Sequence, residues 1–516
     1  MKFIKGKNRE QLEVFPVSLD AAIDRDNEVR LLDLVVDNLP LQEFGFHLEF
    51  GENGRPAYHP SDLLKLFIYG YMNKVRSSRD LEKECKRNIE VMWLLKGLRP
   101  DHNTINNFRR DNPKAIKKVF RAMVKTAEHF NLIGKKLIAG DSTKFRAQNS
   151  KKNNFNQKKV DRHIDYIDRK IEEYNRQLSQ ADQDKKHDIE KEIEKQNHRK
   201  QKYTGIEKQL KESGKAQVST SDRESRQMII RNNITEVAYN VQSTSDSKYN
   251  LPIDYKVTNN NDSKAMGNML QRAKSILHTN DFIGLYDKGY HTGSELDTAE
   301  RLGIETLVAV PGIPRSSQSP DPAYNVENFA YSYQDDTYTC PQGNLLKTTG
   351  TWHQGNNYKF KQYRTPECKN CPVIEKCTRS IKNGKIVQRS QYVPALERNR
   401  ERVKEKELQY RRRQAIIEHP YGTIKRQWGF SYILTKKGID RASSDVGFMF
   451  IAYMLRRIIN IVGMEALKEH FHGLSGTSFN KTIRNILLCA SLLLNLVQNH
   501  FPDFRRNKNN IVIYLN

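Results

Sequence analysis

Two aspartates follow short apolar segments that are typical of buried β-strands. Asp141 follows residues 135–139 in "KKLIAGDSTKF", and Asp287 follows residues 283–286 in "IGLYDKGYHTGSE". Neighbouring strands of a sheet lie about 5 Å apart, so we expect the two carboxylates to lie close enough to share a divalent cation. Either aspartate alone has a simpler explanation, because aspartates at strand ends also cap turns and helices.

Glu418 is the third candidate acid. It ends a predicted helix in "QAIIEHPYGTIKRQWGF", where Pro420 and Gly422 interrupt the helical pattern. Three crowded carboxylates repel one another unless a cation neutralises them, and Mg²⁺ prefers oxygen ligands, including water and substrate phosphate oxygens. Two such ions about 4 Å apart stabilise the attacking and leaving oxygens of a phosphoryl displacement. The three acids therefore predict metal-dependent nuclease or strand-transfer chemistry.

Other acids compete for these roles. Asp246 and Asp254 lie in a predicted β-hairpin, where Asp246 has the setting of a turn residue, and Asp222 has the setting of a helix cap. Glu405 and Glu407 have charged neighbours, which favour a solvated helix face. Glu418 is therefore preferred as the third acid.

The charge of the chain favours a polyanionic partner. The 516 residues carry a formal net charge of +26, which points to nucleic acid rather than to a merely soluble basic protein, because the Lys and Arg residues cluster. The length predicts two or three folded units.

Secreted and membrane-spanning classes do not fit the sequence. The first residues lack the apolar segment of a secretory signal, and the longest apolar runs, residues 446–455 and 486–497, are short for a membrane span and predict core helices. Six cysteines in 516 residues do not make a disulfide framework. Cys85 and Cys489 fall in apolar helices and are expected to be buried.

The four remaining cysteines predict a structural zinc site. Cys368, Cys371 and Cys377 follow one another closely, and Cys340 precedes them by 27 intervening residues. A CxxC pair with two further cysteines matches a closed tetrahedral zinc site. The alternative is four reduced cysteines in a small insertion.

The predicted elements change character along the chain. Residues 1–130 are mostly helical, and the helix in "RPDHNTINNFRRDNP" carries Arg109 and Arg110 on either a DNA-reading face or a polar surface. Residues 156–211 have heptad spacing that predicts an antiparallel helical hairpin. Residues 236–310 alternate between strand and helix patterns, which predicts a mixed α/β sheet.

Several separated blocks resemble the bacterial insertion-sequence transposases of the DDE type. They are "LIAGDSTKFRA", "YNVQSTSDSKYNLPIDYKVTN", "IGLYDKGYHTGSEL", "IIEHPYGTIKRQWGF" and the helical block beginning "GRPAYHPSDLLKLFIYGYMNKV". The resemblance runs from about residue 50 to about residue 460. It implies a ribonuclease-H-like mixed sheet core and a helical N-terminal domain. Together with the inserted helical hairpin and the small Cys-rich, zinc ribbon-like insertion indicated by the spacings above, the expected architecture is α/β plus α.

The patterns along the chain and the resemblance together predict how the chain divides. The segments are a helical DNA-binding or dimerisation domain (1–130), the first part of the core (131–311), the Cys-rich insertion (312–395), the second part of the core with the third acid (396–465), and a helical C-terminal segment with a basic tail (466–516).

The resemblance implies roles for the acids and for the residues around the third acid. Asp141, Asp287 and Glu418 become the first, second and third acids, which bind Mg²⁺ or Mn²⁺. Related transposases carry a Tyr-x2-Arg-x3-Glu-x6-Lys signature. Glu418 and Lys425 keep its second half, whereas Arg411 and Gln414 occupy the Tyr and Arg positions. The expected DNA contacts are Lys425, Arg426, Arg413 in place of the signature arginine, and Trp428, which stacks on a base or lies in the core.

The function implied by this family is transposition. One metal ion activates water to nick the element end, and the freed 3′-hydroxyl attacks target DNA. The expected partners are double-stranded DNA, as terminal inverted repeats and target, and a second copy of the chain on that DNA, with no membrane. The expected location is the bacterial cytoplasm beside the nucleoid. The alternatives are a metal-dependent nuclease without joining activity and a non-catalytic DNA-binding protein derived from a transposase.

Overall fold

The computed structural model describes residues 18–48, 56–231, 234–435 and 437–474. The chain divides into two compact units: unit 1 comprises residues 1–123 and 447–516, and unit 2 comprises residues 124–446. The predicted apolar helix at 486–497, Cys489 and the basic tail lie outside the described residues.

Unit 1 is built from helices, as predicted for the N-terminal part of the chain. Its helices up to the boundary are α1 (Glu28–Asp37), α2 (Leu41–Phe44), α3 (Pro60–Met72), α4 (Ser78–Arg87), α5 (Ile89–Leu94), α6 (His102–Asp111) and α7 (Pro113–His129), which crosses into unit 2. Pro60 begins α3, where its missing N–H costs nothing. Asp101 caps α6 by accepting hydrogen bonds from the backbone N–H groups of Asn103 and Thr104.

Unit 2 alternates strands and helices in its first part. Its elements are β1 (Leu137–Arg146), β2 (Asn154–Phe155), α8 (Gln157–Gln180), α9 (Gln183–Ser213), β3 (Val218–Ser219), β4 (Arg226–Arg231), β5 (Ile234–Asp246), β6 (Leu251–Thr258), α10 (Met266–Leu277), β7 (Ile283–Tyr286), α11 (Gly293–Arg301) and β8 (Glu305–Val308).

The main sheet of unit 2 is mixed, as predicted. Its order is β4-β5-β1-β7-β8, and β6 also pairs with β5. Strand β5 is antiparallel to β1, β4 and β6, whereas β1, β7 and β8 run parallel. Only residues 137–139 of β1 pair with β7, and β1 continues beside β5 to Arg146. Asp141, which was expected at the end of this strand, therefore lies within β1, beside the residues that follow the end of β7.

The heptad-spaced segment forms the predicted helical hairpin. Helices α8 and α9 leave and re-enter the unit through the antiparallel ribbon of β2 and β3. A small core lies at this base of the hairpin and consists of Phe155, Val160, Ile206 and Leu210.

The Cys-rich segment forms a second sheet, which the sequence analysis did not predict. The elements from here onward are β9 (Ala330–Ser332), β10 (Thr337–Thr339), β11 (Leu345–Thr348), β12 (His353–Gln354), β13 (Lys359–Arg364), α12 (Ile374–Cys377), β14 (Val387–Ser390), α13 (Val393–Glu405), α14 (Glu407–Tyr421) and α15 (Ile439–Val462). The order of the second sheet is β12-β13-β11-β10-β9, with β14 on β13.

The last described helices are the ones to consider as a possible membrane span. In the described residues no single helix is long and apolar enough to cross a membrane, and α15 passes this test only together with the helix Met464–Leu474, to which it is bent by 110°.

Asp246 fixes the start of the main sheet. Its carboxylate accepts hydrogen bonds from the backbone N–H groups of Gly134, Lys135 and Lys248 at 2.8–2.9 Å, and the residue is fully buried. Lys135 has a φ of 58°, so this turn needs the support of the carboxylate. Asp246 is therefore a structural residue and not a rival metal ligand.

We expect Asp246→Ala to destabilise unit 2 by about 2–3 kcal/mol, because three part-buried backbone N–H groups lose their charged acceptor. The measurement is urea unfolding followed by circular dichroism. Asp281→Ala is the control: Asp281 and its ion-pair partner Lys136 expose 82% and 76% of their side chains, so its effect should stay below about 1 kcal/mol. Equal effects of the two substitutions would contradict this role.

Candidate active site

Asp141 and Asp287 meet at one edge of the main sheet. Leu137 pairs with Ile283 and Ala139 with Leu285, and the same register two residues further brings Asp141 beside Asp287. Asp287 immediately follows β7 and caps a short 3₁₀ helix by accepting a hydrogen bond from the N–H of Gly289 at 2.8 Å. Asp287 is thus a turn cap and a neighbour of Asp141 at once.

Gly140 allows the strands to approach in this way. A Cβ atom at position 140 would lie 2.1–2.7 Å from the ring of Tyr286, the residue before Asp287. The ring is buried against the backbone of β1. Any larger residue at 140 would displace Tyr286 and, with it, the turn that carries Asp287.

Arg413 of α14 contacts the carboxylate of Asp141. Its guanidinium Nη1 donates a hydrogen bond to Oδ2 of Asp141 at 3.0 Å, and the two side chains expose only 18% and 26% of their surface. The pKa of Asp141 is raised mainly by burial and also by the charge of Asp287, whereas the N–H of Ser142 and Arg413 lower it. The pair of acids is therefore electrostatically costly, and Arg413 partly offsets the cost.

Asp262 is a further acid beside the site, and the sequence analysis missed it. Its carboxylate accepts hydrogen bonds from the amides of Asn240 and Gln242, both at 2.7 Å, and from Lys144 at 3.1 Å. Burial raises its pKa, but these bonds prevail and the pKa is lowered. A Cβ at Gly289 would contact both Asp287 (3.0 Å from Oδ1) and Asp262 (3.9 Å from Cβ), so the two acids flank one turn.

Tyr290 is connected to Asp262 through Gln242. It is fully buried, and its hydroxyl donates to Oε1 of Gln242. Burial raises its pKa, as do the charges of Asp262 and Asp141. The polar side chains of β5 thus support the 3₁₀ turn that follows Asp287. Asp262 belongs to the segment "NNNDSK", which reaches this place only when the sheet is folded.

Glu418 lies on the helix that covers the site but outside the pair of acids. Ile416 and Ile417 anchor α14 by packing against Leu137, Ala139 and Leu285. Glu418 is exposed, and its carboxylate accepts a hydrogen bond from Gln414 at 2.9 Å. Among the described residues no three His, Cys, Asp or Glu side chains are arranged to hold a metal ion. The role of Glu418 as the third metal ligand stays a prediction.

The basic residues after Glu418 differ in accessibility. Lys425 lies in a π-helical turn, Gly422–Gln427, and its Nζ donates to Oγ1 of Thr143 at 2.9 Å and to the carbonyl of Lys144 at 3.1 Å. Its pKa is lowered by burial and by neighbouring cations. Arg426 is exposed. Lys425 therefore anchors the turn to β1 in this structure, and Arg426 is the accessible cation.

Trp428 is half-buried and contacts Phe430 edge to face, with ring centroids 5.6 Å apart. This contact favours the core alternative of the sequence analysis over a base-stacking role.

Arg109 was predicted to contact DNA, and the structure contradicts this prediction. It is 2% exposed, donates hydrogen bonds to the hydroxyl of Tyr71 and to the carbonyl of Arg76, and lies over the ring of Phe67. It is therefore part of the unit 1 core. The side chain of Arg110 is 37% exposed and pairs with Asp111, so only Arg110 of the two faces solvent.

The two remaining rival aspartates have structural partners. Asp254 is fully buried and pairs with the guanidinium of Arg272 at 2.6 Å. Asp222 is buried and accepts hydrogen bonds from the hydroxyl of Tyr239 and from the N–H of Gly438.

Comparisons with known proteins give two family matches. A family model described as "Transposase domain (DUF772)" matches residues 17–111, and one described as "Transposase DDE domain" matches residues 339–459. Both describe transposases, which confirms the resemblance of the sequence to the DDE transposases. Arg413, Glu418 and Lys425 lie inside the second match, whereas Asp141 and Asp287 lie outside both.

The chain was also compared with curated proteins and with solved structures. A search of curated proteins gave no match. A solved structure titled "Cryo-EM structure of piggyBac transposase synaptic complex with hairpin DNA (SNHP)" aligns with 9% identity over 89% of this chain and 82% of that chain, at a TM-score of 0.29. A TM-score this low does not establish a shared fold.

The electrostatics of the pair predict opposite shifts in two variants. Asp287→Asn removes a charge that raises the pKa of Asp141, so that pKa should fall. Arg413→Met removes a charge that lowers it, so it should rise. The measurement is a carboxyl ¹³C titration of aspartate-labelled chain, with the resonance assigned by its loss in Asp141→Asn.

Asp281→Asn is the control, because Asp281 precedes the opposite end of β7 and bonds to Lys136. An unchanged pKa in both test variants would show that the three charges do not interact.

Proposed function

We propose that this chain, in which a transposase domain and a DDE transposase domain are matched, is a transposase that cuts DNA at the ends of an insertion sequence and joins the freed ends to target DNA. The observation that carries the proposal is the pair of Asp141 and Asp287 at one edge of the main sheet. Two carboxylates held together beside an arginine form an acidic centre in a chain with a net charge of +26.

The strand order supports a ribonuclease-H-like core. Three antiparallel strands, β6, β5 and β1, continue into the parallel strands β7 and β8. The first acid lies on the strand at the change from antiparallel to parallel, and the second follows the next strand. Helix α14 covers the face of the sheet below them through Ile416 and Ile417.

The donor set fits Mg²⁺ or Mn²⁺. Carboxylate oxygens are the ligands that these hard cations prefer, and the raised pKa of Asp141 beside a second acid is the state that a cation relieves. Asp141 and Asp287 would hold the metal, with Glu418 proposed as the third ligand. When bound, such ions supply Lewis-acid stabilisation of the attacking and leaving oxygens at the phosphorus.

The chain's own residues prepare this centre. Arg413 lowers the pKa of Asp141 and so favours the ionised carboxylate, which is the form that binds a cation. The N–H of Gly289 orients the carboxylate of Asp287. Lys425 fixes the turn after α14 to β1, and the exposed Arg426 beside it would contact a DNA phosphate, which positions the strand without reading its sequence.

The partners follow from the proposed reaction. Both element ends must be held during joining, so we propose a homodimer on double-stranded DNA. The location that fits such a substrate is the bacterial cytoplasm beside the nucleoid.

Two alternative functions are a metal-dependent nuclease and a non-catalytic DNA-binding protein. A nuclease would cut and not join, and a DNA-binding protein derived from a transposase would do neither. The retained pair of acids favours an enzyme over the second alternative. A joining assay with a 3′-hydroxyl end separates the nuclease from the transposase.

The main test is metal-dependent cleavage of linear DNA that carries the inverted repeats flanking the gene. Wild type should cut with Mg²⁺, and Asp287→Asn should retain DNA binding but lose cleavage by at least about 100-fold, because a lost carboxylate ligand weakens binding of the ion that stabilises transition-state charge. Cleavage is followed on denaturing gels, and joining is followed by transfer of the labelled 3′ end.

Asp281→Asn is the matched control, since it removes the same charge before the other end of β7. If Asp287→Asn cuts as well as wild type, Asp287 is only a turn cap and the proposed centre is wrong. Cleavage without transfer of the labelled end would favour the nuclease.

A second test concerns the DNA contact of Arg426. Arg426→Ala should weaken binding to all sequences alike and reduce the slope of log Kd against log salt by about 1. The measurement is fluorescence anisotropy at several salt concentrations. Arg301→Ala removes another exposed arginine, one paired with Asp297, and should leave the slope unchanged. The same slope in wild type and Arg426→Ala would exclude a phosphate contact.

A further inference from the structure

The second sheet brings four distant cysteines to one cavity. Cys340 follows β10, Cys368 lies in a 3₁₀ helix, Cys371 follows that helix and Cys377 ends α12. All four line a cavity with a volume of about 20 Å³. A cavity of at least about 10–15 Å³ holds one water-sized particle, so the space suits a single ion.

The lining has one kind of metal donor. Among the described residues that line the cavity, the metal-binding side chains are the four thiols, without a carboxylate or an imidazole. The thiols are free of disulfide bonds. Four sulfur ligands and no open position are the ligand set of a closed, tetrahedral zinc site, in which each sulfur lies about 2.3 Å from the metal.

The backbone around the cysteines is tightly turned. The N–H of Gly343 donates to the carbonyl of Cys340 at 2.8 Å, and the N–H of Cys371 donates to that of Cys368 at 3.4 Å. Gly384 has a φ of +69°, and a Cβ there would lie 2.7 Å from Cβ of Cys368. Only glycine lets this loop pass so close to the thiol, so the chain is folded around the cysteines.

We propose that Cys340, Cys368, Cys371 and Cys377 bind one structural Zn²⁺ that holds together the loops of the second sheet. The four thiols do not have metal-binding geometry as they lie, so they draw inward when the ion binds. The segments that carry them are turns and a helix of four residues, which can make this movement, and binding of a metal to such a site contributes directly to folding.

The rest of the second sheet needs such support. Its core consists of Phe329, Tyr338, Leu346, Tyr363 and Val387, with Cys340 and Cys377 packed against it. A core of this size gives little stability of its own. Lys385 also lines the cavity and donates to the carbonyl of Cys377 at 3.2 Å, where its cation would offset part of the negative charge of four thiolates.

The test is the zinc content of the full chain, purified without chelator and measured by inductively coupled plasma mass spectrometry. Wild type should contain one zinc per chain, and Cys371→Ser or Cys377→Ser should contain less than about a tenth of that, as expected when a thiolate ligand is lost. Cys85→Ala, which removes a buried thiol of α4, should keep the zinc. The double variant Asp141→Asn, Asp287→Asn should also keep it, which separates this site from the acidic centre.

Wild type loaded with Co²⁺ supplies a readout that does not depend on the folding of a variant. A tetrahedral tetrathiolate site gives intense visible and near-ultraviolet bands, and added Zn²⁺ should remove them. The proposal is overturned if wild type lacks zinc and gives no such bands, if the serine variants keep their zinc, or if mass spectrometry of the alkylated chain shows the four cysteines joined as disulfides.

Discussion

The parallel pairing of β1 with β7 is the constraint on which the rest of the site depends. It sets Asp141 and Asp287 side by side, where their charges repel and burial raises the pKa of Asp141. Because the pKa of Asp141 in the folded chain lies above that in the unfolded chain, the stability of the fold falls as the pH rises from the unfolded-state pKa to the folded-state pKa. Arg413 and the backbone N–H of Ser142 offset part of this cost by lowering the pKa of Asp141.

Strand β5 supports the acids through buried polar side chains. Strand β5 contributes Asn240 and Gln242, which are buried and bind Asp262, and it ends at Asp246, which fixes the turn before β1. Hydrogen-bonded polar groups in a buried setting specify one arrangement more sharply than apolar packing does. The geometry of the site is thus set mainly by partners of the acids rather than by the acids themselves.

Much of the fold could be predicted from the sequence, because hydrophobic periodicity identifies elements that bury one face. The heptads of the hairpin, the alternation of β5 and β6, and the apolar run of β7 are examples. The strands of the second sheet were missed, since they are two to six residues long and mostly polar. Arg109 was misassigned because polar residues of a helix do not reveal which of them turn inward, and Asp262 was missed because only tertiary structure brings its loop to the site.

The ribbon of β2 and β3 has a consequence for how this chain tolerates change in length. Asn154 pairs with Ser219 and Phe155 with Val218, so the intervening helices begin and end at adjacent points, and their small core lies with them at that base. Closing the ribbon with a short turn would leave the path of the chain into β4 unaltered. Helices α8 and α9 are therefore an appendage that the main sheet carries, whereas Gln217 after them still bonds through its side chain to the backbone of Gln227 in β4.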